Sequence, residues 1–300
     1  MKIIKNKREA IQELKRISNR TNSENNNKIN TIVLEILNDV KTYGDIAVEK
    51  YTKKFDGFNP NPMQVSASDL KEAWNEIDSN LKISLELAHK RIKKFHEKEI
   101  PSSFIIEGEH GDKVQRKWSP VKKAGIYIPG GRAAYPSTVL MNAIPASVAG
   151  VEEIIMVSPG NKEGIINKTV LAAAHLSGIS KVFRIGGAQA IGALAFGTKQ
   201  INKVDVISGP GNIYVTTAKK FIYGSTGIDS LAGPSEILII ADETAQSKHI
   251  VSDLLAQAEH DPLASSILLT TSKSQAEEVL EEVYKKIYDH PRKEICMQSI

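Results

Sequence analysis

The sequence predicts an α/β protein: a mostly helical N-terminal third, then parallel-sheet architecture. Three observations predict it. Apolar residues recur at helical spacing up to about residue 98. Beyond residue 120, short β-type runs alternate with helical patterns, as in βαβ units. Most of the runs in the middle of the chain end in glycine, as strands do where a parallel sheet binds ligands.

The elements follow in order. Ile11, Leu14 and Ile17 give a short amphipathic start, and the polar run from Asn19 to Asn27 reads as a loop. Ile29, Ile32, Val33, Ile36, Leu37 and Val40 share one helical face that Gly44 ends. Asp45 can cap the next helix, to about Phe55. Asn59-Pro60-Asn61-Pro62 is a turn, and Ser66-x-x-Asp69 is a capping box for a helix carrying Trp74. Another helix runs from Leu81 to about Lys98, before Pro101. Strands are expected at Val114–Trp118, Ile126–Ile128, Glu153–Ser158, Val182–Ile185, Val204–Ile207, Ile237–Ile240 and Ser266–Thr270. Between them lie helices at Val139–Val148, Val170–Leu176, Gln189–Phe196 and Val215–Phe221, and one through Gln257 and His260. An amphipathic helix covers Glu277 to about Tyr288, after which Lys293–Ile300 carries no cap or turn and reads as a chain cut in mid-domain.

Composition excludes several classes. The net charge of +4 spreads over 39 basic and 35 acidic residues with no block of five like charges, which is no nucleic-acid footprint. A membrane span needs about 18 apolar residues in a row, and none is present. Cys296 is the only cysteine, so no internal disulfide forms, and no secretory signal opens the chain. A cytoplasmic protein is expected.

Chemistry concentrates in two places. Gly130-Gly131, Gly186-Gly187 and Gly209-Pro210-Gly211 end successive strands, with Tyr127, Gln189 and Asn212 beside them. A single such pair is a tight turn. The set suggests a nucleotide crevice, where backbone N–H groups approach phosphates at helix N-termini. No G-x-G-x-x-G follows a strand, and Gly192–Lys199 is no P-loop, since its Thr-Lys order is reversed. The second place is Gln257-Ala258-Glu259-His260. Three residues apart on a helix, an amide oxygen and an imidazole nitrogen can share a cation such as Zn²⁺. Taken alone, the pair is a polar helix face, and two donors do not complete a site. Ser235 taken alone is a turn hydroxyl, with no G-x-S-x-G around it. The remaining histidines read as exposed, and Cys296 as a packed or incidental thiol.

Tyr127-Ile128-Pro129-Gly130-Gly131, Gly186-Gly187-Ala188-Gln189-Ala190, Gly209-Pro210-Gly211-Asn212, Ala232-Gly233-Pro234-Ser235-Glu236 and Gln257-Ala258-Glu259-His260 occur in this order. Together with Gly44-Asp45 and Lys54-Phe55-Asp56, they make the whole chain resemble the histidinol dehydrogenase family. The resemblance implies two related, incomplete Rossmann-like parallel-sheet domains, one inserted in the other. It implies boundaries at 1–120 (helical segment and start of the first α/β domain), 121–234 (the inserted, NAD-binding domain) and 235–300 (return to the first domain). It implies oxidation of L-histidinol to L-histidine with NAD and Zn²⁺, in two hydride transfers through an aldehyde, by a homodimer. Tyr127, Gln189 and Asn212 would contact NAD. Ser235, Gln257 and His260 would contact substrate, and Gln257 and His260 would ligate zinc. The family's catalytic Glu-His pair and its remaining zinc ligands have no match here and would lie beyond Ile300. The expectation is therefore a shortened form with impaired turnover, and its alternative is a non-catalytic homologue that keeps nucleotide binding.

Overall fold

The computed structural model describes residues 1–19, 24–130, 134–231, 235–262 and 264–300. They form two compact units. One is continuous, residues 27–231, and the other joins 1–26 to 232–300. The division differs from the expected boundary at 120, because the helices of 27–120 pack with the sheet that follows them.

Helix α1 (Lys7–Asn19) belongs to the discontinuous unit. Helix α2 (Glu24–Tyr43) buries Val33, Ile36, Leu37 and Val40 as one stripe. It begins inside the run expected to be a loop, so 24–27 are helical, while 20–23 lie outside the described residues. Gly44, at φ 56°, turns the chain into α3 (Asp45–Phe55). Asp45 is not the cap expected of it. The cap is Gly44, which places Asp45 inside the first turn with its Oδ1 buried and unpartnered.

Helix α4 (Ala67–Glu76) opens on the expected capping box. Ser66 Oγ accepts from Asp69 N at 3.1 Å, and Ser66 N donates to Asp69 Oδ2 at 3.3 Å. Asp78 caps α5 (Ser79–His96). An exposed antiparallel hairpin follows, β1 (Phe104–Glu107) and β2 (Lys113–Arg116), of which the sequence indicated only the second strand.

The main sheet is then laid down: β3 (Lys123–Tyr127), α6 (Pro136–Ala149), β4 (Glu153–Val157), α7 (Lys168–Leu176), β5 (Lys181–Phe183), α8 (Gly187–Phe196), β6 (Val206–Ser208), α9 (Ile213–Ile222) and β7 (Gly227–Ile228). The order is β5-β4-β3-β6-β7, all parallel, so the winding reverses between β3 and β6. Strand alternation sends Tyr127, Ile155, Val157 and Phe183 into a core under α2, α3, α8 and α9. Ile126, Ile128, Met156 and Val182 enter a second core under α4 to α7. Gly192 lets α8 lie close to α2, since a Cβ there would be 3.1 Å from Leu37 and 3.3 Å from Val40.

In the other unit, β8 (Glu236–Ala241) and β9 (Ser265–Thr270) pair in parallel, joined by α10 (Ser247–Ala258). Helix α11 (Lys273–Tyr288) follows, then α12 (Lys293–Ser299). The last residues thus form a helix, contrary to expectation, and it buries Cys296 against α10 and α11. The opposite face of β8–β9 exposes Leu238, Ile240 and Leu269. The histidines also differ from expectation: His89, His96, His175 and His290 are half-buried, with His175 beside the Trp74 ring and His290 beside Cys296 and Glu259. No helix among the described residues is long and apolar enough to cross a membrane.

Candidate functional site

The carboxyl ends of β3, β4, β5 and β6 surround a cavity of about 460 Å³ in the continuous unit. Tyr127, Gln189 and Asn212 all line it, together with Asp56, Pro129, Gly130, Pro159 and Tyr214. It lies where the winding reverses, the place where open parallel sheets take ligands. Gly130 and Gly186 flank Pro159 so closely that a Cβ on either would stand 2.6 Å from its ring. Gly209, at φ 113°, lies against Tyr127, and a Cβ there would be 2.1 Å from the Tyr127 carbonyl oxygen. Glycine is required at these strand ends because three backbones converge. Gly131 lies outside the described residues.

Each lining side chain has its own electrostatic situation. The Tyr127 hydroxyl accepts a hydrogen bond from Gly187 N at 3.2 Å. Burial pushes its pKa up to about 12, and the nearby Asp56 charge adds to the rise, so it stays a neutral phenol at physiological pH. Gln189 is 1% exposed, yet neither its Oε1 nor its Nε2 has a hydrogen-bond partner in the protein. A buried primary amide with both ends unpartnered is costly, and the cavity it lines is where a ligand's donor and acceptor would meet it. Asn212 Oδ1 is spent on capping α9, accepting from Tyr214 N at 3.1 Å and Val215 N at 3.2 Å. Its amide nitrogen is the group left for a ligand. The N-termini of α8 and α9 both lie at this rim, a setting suited to anions.

Asp56 is the residue that reading the motifs did not single out as a site residue. It follows α3 directly, and burial raises its carboxyl pKa to about 6. Its Oδ2 has no protein partner either. The sequence carried it only as the end of the Lys54-Phe55-Asp56 segment, an acid closing an amphipathic helix with no role attached.

In the discontinuous unit the structure brings Ser235 and Gln257 together. Gln257 Nε2 donates to the Ser235 carbonyl at 3.5 Å, and Ser265 N donates to the same oxygen at 3.3 Å. Helix α10 ends at Ala258, so His260 sits in the turn beyond it and not on the helix as expected. The i,i+3 relation survives, because His260 N still bonds Gln257 O at 3.2 Å. Gln257 is half-buried and His260 exposed. As an N/O donor pair they fit half of a zinc site. Among the described residues no group of three or more His, Cys, Asp or Glu could hold a metal. A broader depression of about 620 Å³ between α10 and α11 holds neither residue; half of its lining is Glu259, Glu282, Lys285, Lys286 and Asp289. Gly233 and Pro234, which precede Ser235, lie outside the described residues.

The histidinol dehydrogenase family model matches residues 19–300. The chain belongs to the histidinol dehydrogenase family. A histidinol dehydrogenase of Prochlorococcus marinus strain MIT 9312 is 87% identical over 300 residues, covering all of this chain and 68% of that protein. One from Synechococcus strain ATCC 27144 is 48% identical over 302 residues, covering all of this chain and 70% of that protein. Among solved structures, histidinol dehydrogenase from Elizabethkingia anophelis superposes with a TM-score of 0.83 at 41% identity, covering 90% of this chain and 62% of that one. The chain thus spans about two thirds of the length of the relatives it matches. Members of histidinol dehydrogenase are oxidoreductases of histidine biosynthesis, and the α/β fold with its parallel sheet agrees with that membership.

Proposed function

We propose that this chain serves the oxidation of L-histidinol to L-histidine, in two hydride transfers by way of the aldehyde, with water adding to the aldehyde before the second transfer and the protons released to solvent. NAD would accept the hydrides, and Zn²⁺ would orient the substrate and polarise its oxygen. One observation carries the dinucleotide part: the unpartnered Gln189 amide, buried in a strand-end cavity that Tyr127 and Asn212 also line.

The residues divide the work as follows. Gln189 offers an adjacent donor and acceptor to a planar edge of the dinucleotide. Asn212 offers its amide N–H groups. Tyr127 stays protonated and fixes the Gly187 peptide at the start of α8. The glycine backbones and the two helix N-termini favour a diphosphate. Ser235 contacts the substrate, and Gln257 and His260 would hold the metal and lie against the substrate. Histidinol supplies an imidazole and an amine, both good zinc donors, so an incomplete protein shell suits it. We further propose a cytoplasmic homodimer, with the insertion of one Rossmann-like domain in another as the family pattern has it.

The test follows NADH formation with L-histidinol and with ethanol, with and without a chelator, alongside calorimetric titration of Zn²⁺. Histidinol-specific, chelator-sensitive turnover supports the full reading. Gln257→Ala and His260→Ala should each weaken Zn²⁺ binding at least about tenfold. Unchanged zinc affinity in both would remove them from the metal site. Dinucleotide binding without any histidinol turnover would favour the second reading, a non-catalytic homologue. The observation behind it is that the described residues contain no group of three or more His, Cys, Asp or Glu that could hold a metal.

A further inference from the structure

Among the described residues Lys219 is the only buried residue with a charged side chain, at 3% exposure. Burying an ammonium is unfavourable unless the charge is paired and hydrogen-bonded. Its partners are specific. Lys219 Nζ donates to the Gly209 carbonyl at 3.0 Å and forms an ion pair with Asp229 Oδ1. Asp229 Oδ2 in turn accepts from Gly209 N at 2.9 Å. Two opposite charges therefore hold one residue, Gly209, by both of its backbone polar groups. Asp229 is itself anchored to β6, since its N–H donates to Ile207 O at 3.2 Å.

A plain structural ion pair would tie helix to strand at any convenient point. This one grips the residue that most needs holding. Gly209 has left the sheet at φ 113°, and a Cβ on it would stand 2.1 Å from the Tyr127 carbonyl oxygen. Three residues on, Asn212 caps α9 and lines the cavity, and Lys219 projects from that same helix. The clamp therefore connects both ends of the loop 209–212 to one rigid support.

We propose that Lys219 and Asp229 are positioning residues for dinucleotide binding: they fix the Gly209 peptide so that the loop presents Asn212 to the cavity beside Tyr127. This rests on the dinucleotide reading above. Neither residue lines the cavity, so their effect is exerted through the loop.

The test titrates NADH, followed by its fluorescence, into the 300-residue chain, into Lys219→Met and Asp229→Asn, and into a control, Val170→Ala. Val170 is buried in the core on the other face of the sheet, away from the loop. Each clamp variant should raise the NADH Kd about tenfold or more, equivalent to about 1.4 kcal/mol. The control should lower Tm yet leave Kd within about twofold of the parent. If either single variant fails to fold, the double variant, which removes the stranded charge with its partner, carries the test. Clamp variants that bind NADH like the parent, or a control that weakens binding as much as they do, overturn the positioning role alone. A parent chain that does not bind NADH overturns the dinucleotide reading and this inference with it.

Discussion

Replacing Gln189 by methionine should make the free protein more stable and a worse binder. Gln189 is 1% exposed, and both polar atoms of its amide lack a protein partner. A buried polar group left unpaired costs about 1–3 kcal/mol, and the low end suits a side chain at a cavity wall. Methionine has nearly the same length and volume and no polar group to strand, so it removes that cost without leaving a hole. The setting is apolar: Ala190, Ile191 and Leu194 of the same helix are buried in the core under α2 and α3. About 1 kcal/mol corresponds to a rise in Tm of about 2–4 °C for a unit of this size. The same change removes a donor and an acceptor from the ligand, which should weaken NADH binding about tenfold to a hundredfold. Thermal denaturation followed by circular dichroism, with and without NADH, reads both effects in one experiment. A lower Tm in the free variant would show that the amide is satisfied and structural. An undiminished NADH-induced rise in Tm would show that it does not face the ligand.

Two other perturbations follow from the same cavity. Burial raises the Asp56 carboxyl to about 6, so its contribution to stability is full below its ordinary pKa of about 4 and is lost as pH rises through about 6. The stability difference between Asp56→Asn and the parent should therefore grow across that window to about 1 kcal/mol at pH 8, discounted for partial exposure; urea midpoints at a series of pH values measure it, and a flat difference would refute the shift. Gly209→Ala places a Cβ 2.1 Å from the Tyr127 carbonyl at a positive φ, which should cost about 2–4 kcal/mol in strain and overpacking and abolish measurable NADH binding; a variant with parental Tm and affinity would mean the loop has another conformation.

Much of the architecture was legible because it depends on local pattern. The β3-to-α9 alternation, the capping box at Ser66 and Asp69, and the apolar stripe of α2 all appear in the chain as periodicity or spacing. What was not legible depends on tertiary partners. Strand β7 is two residues long and exists through its pairing to β6, with Gly227 N bonded to Asp205 O. The partner strand β1 has no alternation of burial, since both strands of its hairpin are exposed. Helix α12 is too short for periodicity to show, and only the burial of Cys296 reveals which face it packs. Gly44 displaced Asp45 as a cap because a positive φ is a backbone property that residue types only suggest.

The candidate site divides along the same line. Tyr127, Gln189 and Asn212 could be picked out because each sits beside a glycine pair at a strand end, and a parallel sheet necessarily gathers its strand ends on one side. Asp56 and Lys219 could not. Asp56 closes a helix whose last turn carries Lys53 and Lys54, a context that reads as surface, and it enters the cavity because α3 packs against α8. Lys219 stands next to Lys220, which is exposed, and one residue decides which of the two is buried. What draws Lys219 inward is the Gly209 carbonyl, a backbone group that the left-handed turn at the end of β6 has removed from the sheet. A buried acceptor without a ladder partner must find a side-chain donor. The strained loop at Gly209 therefore has the buried charge of Lys219 behind it, supplying the donor that its displaced carbonyl needs.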